Sequence, residues 1–216
     1  MFFVQGLLLF MAVIFGSIAG NLSYRILNGA LATIAEFPYY AFLSPDGETL
    51  RCGGAIIEPS IILTAAHCLI DTNFKVYTGI QSLNDLNGRT PYHVKKIIKH
   101  PDYSKGSNND IGLIILSSPI QLGTNAKVIP VADMTPTSGA KVTIVGFGKV
   151  KCNPFLVDSA GRCFWGNSRN LRYVNATLTG TNDGVIDTVS DDNRNTCYVS
   201  PLKSLTKCRR YLVFIF

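Results

Sequence analysis

A succession of short apolar or alternating runs constrains the fold of this chain most strongly. The runs are rich in Val and Ile and are separated by Gly, Pro, Asn and Asp; they are YYAFL, GGAIIEPSIILTA, KVYTG, YHVKKIIKH, IGLIIL and AKVTIVGFG. Short runs with turn residues between them are typical of strands, and their even spacing predicts an all-β sandwich or barrel. A chain of 216 residues can bury one sizeable core, which favours one domain. Helix is expected only as a single turn at Ala65–Leu69.

The amino terminus has the pattern of a secretory signal peptide. An apolar run from Phe2 to Phe15 is broken only by Gln5 and Gly6, and small residues follow it. This pattern predicts a signal peptide over residues 1–19 and therefore a secreted, extracellular protein that is not held in the membrane after cleavage. An uncleaved membrane anchor is the alternative, but Gln5 and the small residues at the end of the run argue against it.

Export determines how the six cysteines are interpreted. An oxidising compartment lets thiols pair, so disulfides are the expected state. No spacing gives a C-x-x-C pair, and we predict neither a metal site nor a cofactor. Two N-x-S/T sequons, at Asn21 and Asn175, are candidate glycosylation sites.

The formal net charge of +6 comes mostly from the carboxyl-terminal residues. No acidic residue follows Asp192, and the basic residues that account for the excess are Lys203, Lys207, Arg209 and Arg210. The rest of the chain is nearly balanced, so the charge does not predict a nucleic-acid partner.

Two polar residues stand where they could share a proton. In CGGAIIEPSIILTAAHC, His67 lies beside Cys68, and a disulfide from Cys68 to Cys52 would restrain the histidine's backbone and stabilise the fold by about 3 kcal/mol. In NNDIGLIIL, Asp110 begins an apolar run, where a carboxylate is costly unless another group accepts its charge. A carboxylate that accepts the Nδ1 proton of a histidine fixes its tautomer and prepares Nε2 to take a proton from a nucleophile.

The ordered series of short motifs carries a family resemblance. The motifs are RILNG, AEFPYYAFL, CGGAII, LTAAHC, HPDY, NDIGLI, IPVA and VGFG. Together they resemble the trypsin and chymotrypsin family of secreted serine endopeptidases, from about Ile26 through Cys197. The resemblance implies two antiparallel six-stranded barrels with the active site between them. It also implies protein or peptide substrates, with protein protease inhibitors as possible partners.

The resemblance assigns roles to individual residues. His67 becomes the general base, Asp110 its orienting partner, and Cys52–Cys68 the disulfide that closes the histidine loop. Residues 20–25 become a short propeptide that ends at Arg25, where cleavage would release Ile26 as a new amino terminus. The protease domain is then expected over residues 26–198.

The family pattern stops after Cys197 and Tyr198. The family continues with GDSGGP, which supplies the nucleophile, the oxyanion-hole amides and an acidic partner for the new amino terminus, whereas this chain continues with VSPLK. Ser200 and Ser204 lack flanking glycines, and Pro201 has no N–H, so neither serine is expected to substitute. We therefore expect an incomplete second barrel, an inactive chain, and a non-family tail without strand spacing over residues 199–216.

The remaining cysteines complete the disulfide expectations. Cys152 and Cys163 enclose a short loop and are expected to pair with each other. Cys197 would normally pair with a cysteine in the missing part of the family domain, and Cys208 is its only local substitute.

Two explanations account for the changed carboxyl terminus. Val199 and Ser200 can be encoded by GTA AGT, a common splice-donor sequence, so the tail is interpreted as translated intron in a truncated product. The alternative is a non-catalytic protease homologue that acts by binding a partner. Such a homologue usually keeps its whole fold and changes triad residues, whereas here His67 and Asp110 are intact.

Asn195 concerns cleavage specificity. It lies two residues before Cys197, where trypsin-like members carry the aspartate that holds a basic substrate side chain. An uncharged amide there predicts weak cleavage after Arg or Lys. The alternative is that Asn195 is an ordinary loop residue.

Overall fold

A computed structural model of the chain describes residues 29–104, 109–133, 136–147, 149–157, 163–182, 185–190 and 213–215. Within 149–157, 163–167, 180–182, 185–190 and 213–215 only the backbone and its strand pairing are described. In these parts of the chain no helix combines the length and the apolar character needed to cross a membrane.

The described elements are almost entirely strands, which confirms the predicted all-β class. The strands are β1 (Ala30–Leu31), β2 (Tyr40–Ser44), β3 (Cys52–Glu58), β4 (Ile61–Thr64), β5 (Lys75–Thr78), β6 (Tyr92–Lys99), β7 (Gly112–Leu116), β8 (Lys141–Gly146), β9 (Lys149–Val157), β10 (Cys163–Asn167), β11 (Arg172–Asn182), β12 (Val185–Ser190) and β13 (Val213–Ile215). Two short 3-10 turns cover Ala66–Cys68 and Leu83–Leu86. The first lies inside the helical turn expected at Ala65–Leu69.

The first half of the chain forms a closed six-stranded barrel in the order β2-β3-β4-β7-β6-β5. All its neighbouring strands pair antiparallel. Side chains alternate between interior and exterior along these strands, as the buried and half-buried pattern of β7 shows. One of the two barrels expected from the resemblance is therefore present and closed.

The second half of the chain contributes a separate hairpin and four strands of a five-stranded sheet, whose fifth strand is β1. β1, β11, β8 and β13 pair in that order, β12 pairs with β11, and β10 pairs with β9. Within the described residues this sheet does not close into a barrel. The expectation that the tail lacks strand spacing is wrong at its last residues, because Val213–Ile215 pairs with β8. A Val-Phe-Ile run has high strand propensity and can pair with an open sheet edge.

Strand β2 joins the barrel to the second sheet. Its side chains alternate, so that Ala41 and Leu43 belong to the cluster inside the barrel. Tyr40 and Phe42 belong to a second cluster that also contains Phe147 of the other half. Both faces of β2 are consequently buried. This packing places the barrel and the second sheet against each other.

Candidate active site

His67 lies on the 3-10 turn that follows β4. The turn is closed by backbone hydrogen bonds in which the N–H of Cys68 donates to the carbonyl of Ala65 and the N–H of Leu69 donates to that of Ala66. Ala66, Cys68 and Leu69 are buried, and His67 is half-buried. The apolar residues around the histidine therefore anchor the turn in the barrel core and leave His67 at its edge.

Asp110 reaches the same place through the pairing of β4 with β7. The register sets Thr64, the last residue of β4, opposite Gly112, the first residue of β7. Because the two strands run antiparallel, the residues after Thr64 and those before Gly112 leave the barrel at one end. His67 and Asp110 are those residues, which explains how positions 43 apart in sequence meet.

The backbone before Asp110 has an uncommon conformation. Asn109 has φ 61°, in the left-handed region, and its carbonyl accepts a hydrogen bond of 2.8 Å from the N–H of Ile111. Asn tolerates this region better than most residues. The tight turn over Asn109–Ile111 brings Asp110 back toward the histidine turn.

Both carboxylate oxygens of Asp110 contact His67. Oδ1 accepts the backbone N–H of His67 at 2.8 Å. Oδ2 lies 2.7 Å from the imidazole Nδ1. The two side chains are only 13% and 12% exposed, so little water screens the contact. One carboxylate thus fixes both the backbone and the ring, and in the neutral imidazole it favours the tautomer with the proton on Nδ1.

A disulfide lies on the other side of the ring. Cys52 and Cys68 are bonded to each other, and their Cα atoms are 6.2 Å apart. The Sγ atom of Cys68 lies 3.1 Å from His67 Nε2, and that of Cys52 lies 3.8 Å from it. The imidazole is therefore held between a carboxylate at Nδ1 and the two sulfurs at Nε2.

Tyr39 and Tyr40, just before and at the start of β2, are expected to stay protonated near neutral pH. Burial raises the pKa of Tyr40 well above its usual value. A hydrogen bond with the backbone of Phe147 lowers the pKa, but this effect is smaller than that of burial. Burial also raises the pKa of Tyr39. Asp110 can hold the imidazole of His67 in one tautomer and let it accept or donate a proton through Nε2.

The other sequence-predicted residues are not brought to this site within the described chain. Asn175 is exposed on β11, where its Oδ1 accepts a hydrogen bond of 3.0 Å from Thr143. Cys152 lies opposite Trp165 in the β9–β10 hairpin, and the side chains of Cys152 and Cys163 are outside the described part. The other predicted positions also lie outside the described residues; they are Asn21, Arg25, Ile26, Asn195, Cys197, Tyr198, Ser200, Ser204 and Cys208.

Two residues that position the site were not identified from the sequence. One is Asn109, for which the Asn preceding an aspartate is the available signal of a left-handed turn. The other is Gly112, where an added Cβ would lie 2.8 Å from the carbonyl oxygen of Ile98 and would also meet Leu69. The glycine between Ile111 and the apolar run is the corresponding signal of a close approach.

Comparison with known proteins gives one family. The sequence profile of the trypsin family matches residues 26–197. Trypsin zeta of Drosophila erecta is 36% identical over 137 residues, which cover 57% of this chain and 48% of that protein. Trypsin of Sarcophaga bullata is 33% identical over 141 residues, covering 63% and 54%. The chain thus spans about half the length of these relatives.

Solved structures share the fold. The structure of neuropsin, described as a serine protease expressed in the limbic system of mouse brain, superposes with a TM-score of 0.68 at 24% identity and covers 88% of this chain and 82% of that one. Human heparin binding protein superposes with a TM-score of 0.62 at 23% identity, covering 76% and 71%.

Proposed function

The chain belongs to the trypsin family of serine proteases, and from this premise we propose that it carries the proton-transfer half of a serine endopeptidase site. His67 is the general base and Asp110 its orienting partner. The observation that carries this proposal is the double contact of Asp110 with His67, at 2.8 Å to the backbone N–H and 2.7 Å to Nδ1. A carboxylate in this position selects the useful tautomer and stabilises the imidazolium that forms when Nε2 takes a proton.

The nucleophile belongs to a different continuation of the chain after Tyr198. In the family, GDSGG supplies the serine and the oxyanion donors, whereas this chain reads VSPLK there. We expect no hydrolysis of peptides by the chain as it stands, because removing the serine of a triad costs about a million-fold and the oxyanion donors are absent as well. A product in which Tyr198 is followed by Gly-Asp-Ser-Gly-Gly would be the active endopeptidase, with a completed second barrel and protein or peptide substrates.

Maturation follows from the amino-terminal residues. Removal of residues 1–19 and secretion expose a propeptide over residues 20–25, and cleavage after Arg25 releases Ile26. The Cys52–Cys68 disulfide suits an oxidising compartment. Exposure of Asn175 on β11 makes its sequon accessible to glycosylation. A decrease in mass on glycosidase treatment that is absent from the Asn175→Gln variant tests this modification.

The proposal for cleavage specificity depends on Asn195, at the expected base of the pocket that holds the substrate side chain. An amide at the base of the pocket offers hydrogen bonds but no charge, so a buried Arg or Lys side chain of a substrate would lack a counter-ion. The active product is therefore expected to cleave weakly after basic residues. Profiling on a peptide library tests this, and a dominant preference for Arg or Lys would contradict it.

Two measurements test the proposed function. Sequencing transcripts across Tyr198 should find a spliced form that continues into Gly-Asp-Ser-Gly-Gly; if every transcript reads through VSPLK to the stop codon without splicing, the intron hypothesis fails. A fluorophosphonate, which labels an activated serine, should leave the 216-residue chain unlabelled after cleavage at Arg25. Labelling that disappears in the Ser200→Ala or Ser204→Ala variant would show that the chain has its own nucleophile.

The absence of GDSGG from this sequence also favours a second candidate function. A secreted homologue without catalysis would act by binding a partner through the same fold. A secreted, folded product that retains the VSPLK continuation, captured from the tissue with one stoichiometric partner, would support this candidate over a by-product of splicing.

A further inference from the structure

Three side chains with metal-binding donor atoms converge at the edge of the barrel core. They are Cys52, His67 and Cys68, and their donor atoms all lie within 4.8 Å of one another. We propose that reduction of the Cys52–Cys68 disulfide converts this cluster into a Cys2His site for Zn²⁺. In the oxidised protein the sulfurs are bonded to each other and do not form the thiolates that bind zinc.

The distances to the histidine already approach those of a zinc site. Tetrahedral zinc with Zn–S near 2.3 Å and Zn–N near 2.0–2.1 Å places each sulfur about 3.6 Å from the nitrogen. His67 Nε2 lies 3.8 Å from the Sγ of Cys52 and 3.1 Å from that of Cys68. The sulfurs belong to separate elements, β3 and the histidine turn, and binding of the ion requires them to move apart once the disulfide is broken.

Asp110 supplies the carboxylate that would orient His67 as a zinc ligand. Zinc-binding histidines usually donate their second ring N–H to a carboxylate, which orients the ring and strengthens it as a ligand. His67 Nδ1 lies 2.7 Å from Asp110 Oδ2, so Nε2 is the nitrogen directed toward the sulfurs. A water molecule would complete the four-coordinate ion.

The scaffold does not depend on the disulfide alone. Cys52 is paired with Leu43 in the barrel sheet, and the Cys68 N–H donates to Ala65. Both cysteines lie in the buried cluster inside the barrel. The hydrogen bond that the His67 backbone N–H donates to Asp110 holds the histidine independently of the sulfurs. The three ligands are therefore expected to remain close together after reduction.

The reduction and binding steps balance. A phosphine gives two electrons to the disulfide and is oxidised to the phosphine oxide, while water supplies the oxygen and the two protons that form two thiols. Zn²⁺ then displaces both thiol protons, so the ion and its two thiolates carry no net charge, which suits a largely buried site. The bound metal occupies the Nε2 lone pair, so the zinc form cannot use His67 as a base.

Cobalt binding tests the site directly. The full chain with its other cysteines replaced (Cys152→Ser, Cys163→Ser, Cys197→Ser and Cys208→Ser) is reduced with a phosphine, desalted without oxygen and titrated with Co²⁺. We expect one equivalent to bind with thiolate-to-cobalt charge-transfer absorption, and Zn²⁺ to displace it. Before reduction the same protein should show no such absorption.

Matched variants distinguish this site from adventitious binding to thiols. Adding Cys52→Ser and Cys68→Ser should abolish the absorption, His67→Ala should weaken binding at least about tenfold, and Asp110→Asn should weaken it by about 10–100-fold. Asp102 is an exposed carboxylate beside His100, so the Asp102→Asn variant should bind Co²⁺ with unchanged affinity. The proposal would be overturned if the reduced chain bound no Co²⁺ or if the affinity were unchanged by His67→Ala. It would also be overturned if Co²⁺ bound before reduction, or bound equally well to the denatured chain. A reduced chain that is unfolded by circular dichroism both with and without Co²⁺ would likewise overturn it.

Discussion

Asp110 determines the state of His67 because one oxygen of its carboxylate holds the histidine backbone and the other holds the ring. An asparagine in its place could present an N–H to Nδ1, which favours the opposite tautomer. In the Asp110→Asn variant we therefore expect the neutral ring proton to move from Nδ1 to Nε2. The ¹⁵N chemical shifts of the imidazole measure this in the 216-residue chain without any activity.

Asp102→Asn is the matched control for this experiment. Asp102 Oδ2 lies 3.9 Å from His100 Nδ1 and its side chain is 79% exposed, so its replacement should leave the His67 signals unchanged. Unchanged His67 signals in Asp110→Asn would show that the carboxylate does not set the tautomer.

Asp46, in the loop after β2, is expected to make the stability of the protein depend on pH. Hydrogen bonds from the backbone of Thr49 and Glu48 and from the Thr49 hydroxyl lower the pKa of Asp46. A folded-state pKa below the unfolded value of about 3.9 adds stability above that pH, which is lost as the pH falls through the folded value. Asp46→Asn should thus destabilise the protein at neutral pH and reduce its loss of stability in acid. Urea unfolding at several pH values measures both effects, and parallel curves would contradict the assignment.

The residues of the site were predictable to different degrees. His67 and Asp110 were identified because their motifs are distinctive, and the structure brings them together. The short distances from Nε2 to the disulfide depend on how the histidine turn packs against β3. Local sequence carries no signal for such a contact between elements.

At the scale of elements, the pairing of β6 with β7, in which Gly112 lies opposite Lys99, needs a residue without a side chain at Gly112. A Cβ there would lie 2.8 Å from the carbonyl oxygen of Ile98, so the neighbouring backbone would have to move. We expect Gly112→Ala to lower the free energy of unfolding by about 1–3 kcal/mol. Gly123→Ala is the control, since nothing lies within 4 Å of its added Cβ, and it should stay within about 0.5 kcal/mol. Equal effects in denaturant unfolding would refute the steric argument.

Strand β2 is expected to be the most sensitive to truncation of its side chains, because it contributes to two hydrophobic clusters. Phe42 is fully buried, and its ring lies 5.3 Å from that of Phe147. Phe42→Ala should destabilise the protein by about 3–5 kcal/mol. Val131→Ala, at a residue that is 61% exposed, should have little effect. Thermal unfolding of both variants gives the comparison, and a midpoint near that of the wild type for Phe42→Ala would count against this packing.

The strands of the barrel were predictable because their runs alternate or are strongly apolar. Those after Gly146 were harder to predict. β11 alternates apolar and polar residues from Val174 to Thr179 but was not identified from the sequence, and β12 contains Asp187 in place of an apolar residue. β13 depends on an open position beside β8, and tertiary pairing of this kind is not encoded in the three residues themselves.

At the scale of the whole molecule, the closed barrel presents His67 and Asp110, and β2 packs it against the second sheet. A serine endopeptidase needs a nucleophile and oxyanion donors as well, and the family supplies them through GDSGG. We therefore expect the barrel of this chain to serve catalysis once that segment is provided.

A chimaera measures this directly. Residues 1–198 of this chain are joined to the segment of a related trypsin that begins with Gly-Asp-Ser-Gly-Gly, and the product is cleaved after Arg25 and assayed on a peptide library. We expect hydrolysis that falls by at least about 10⁴-fold in the His67→Ala chimaera and is absent from the 216-residue chain. A folded chimaera that remains inactive, or one that hydrolyses peptides equally well without His67, would contradict the central claim.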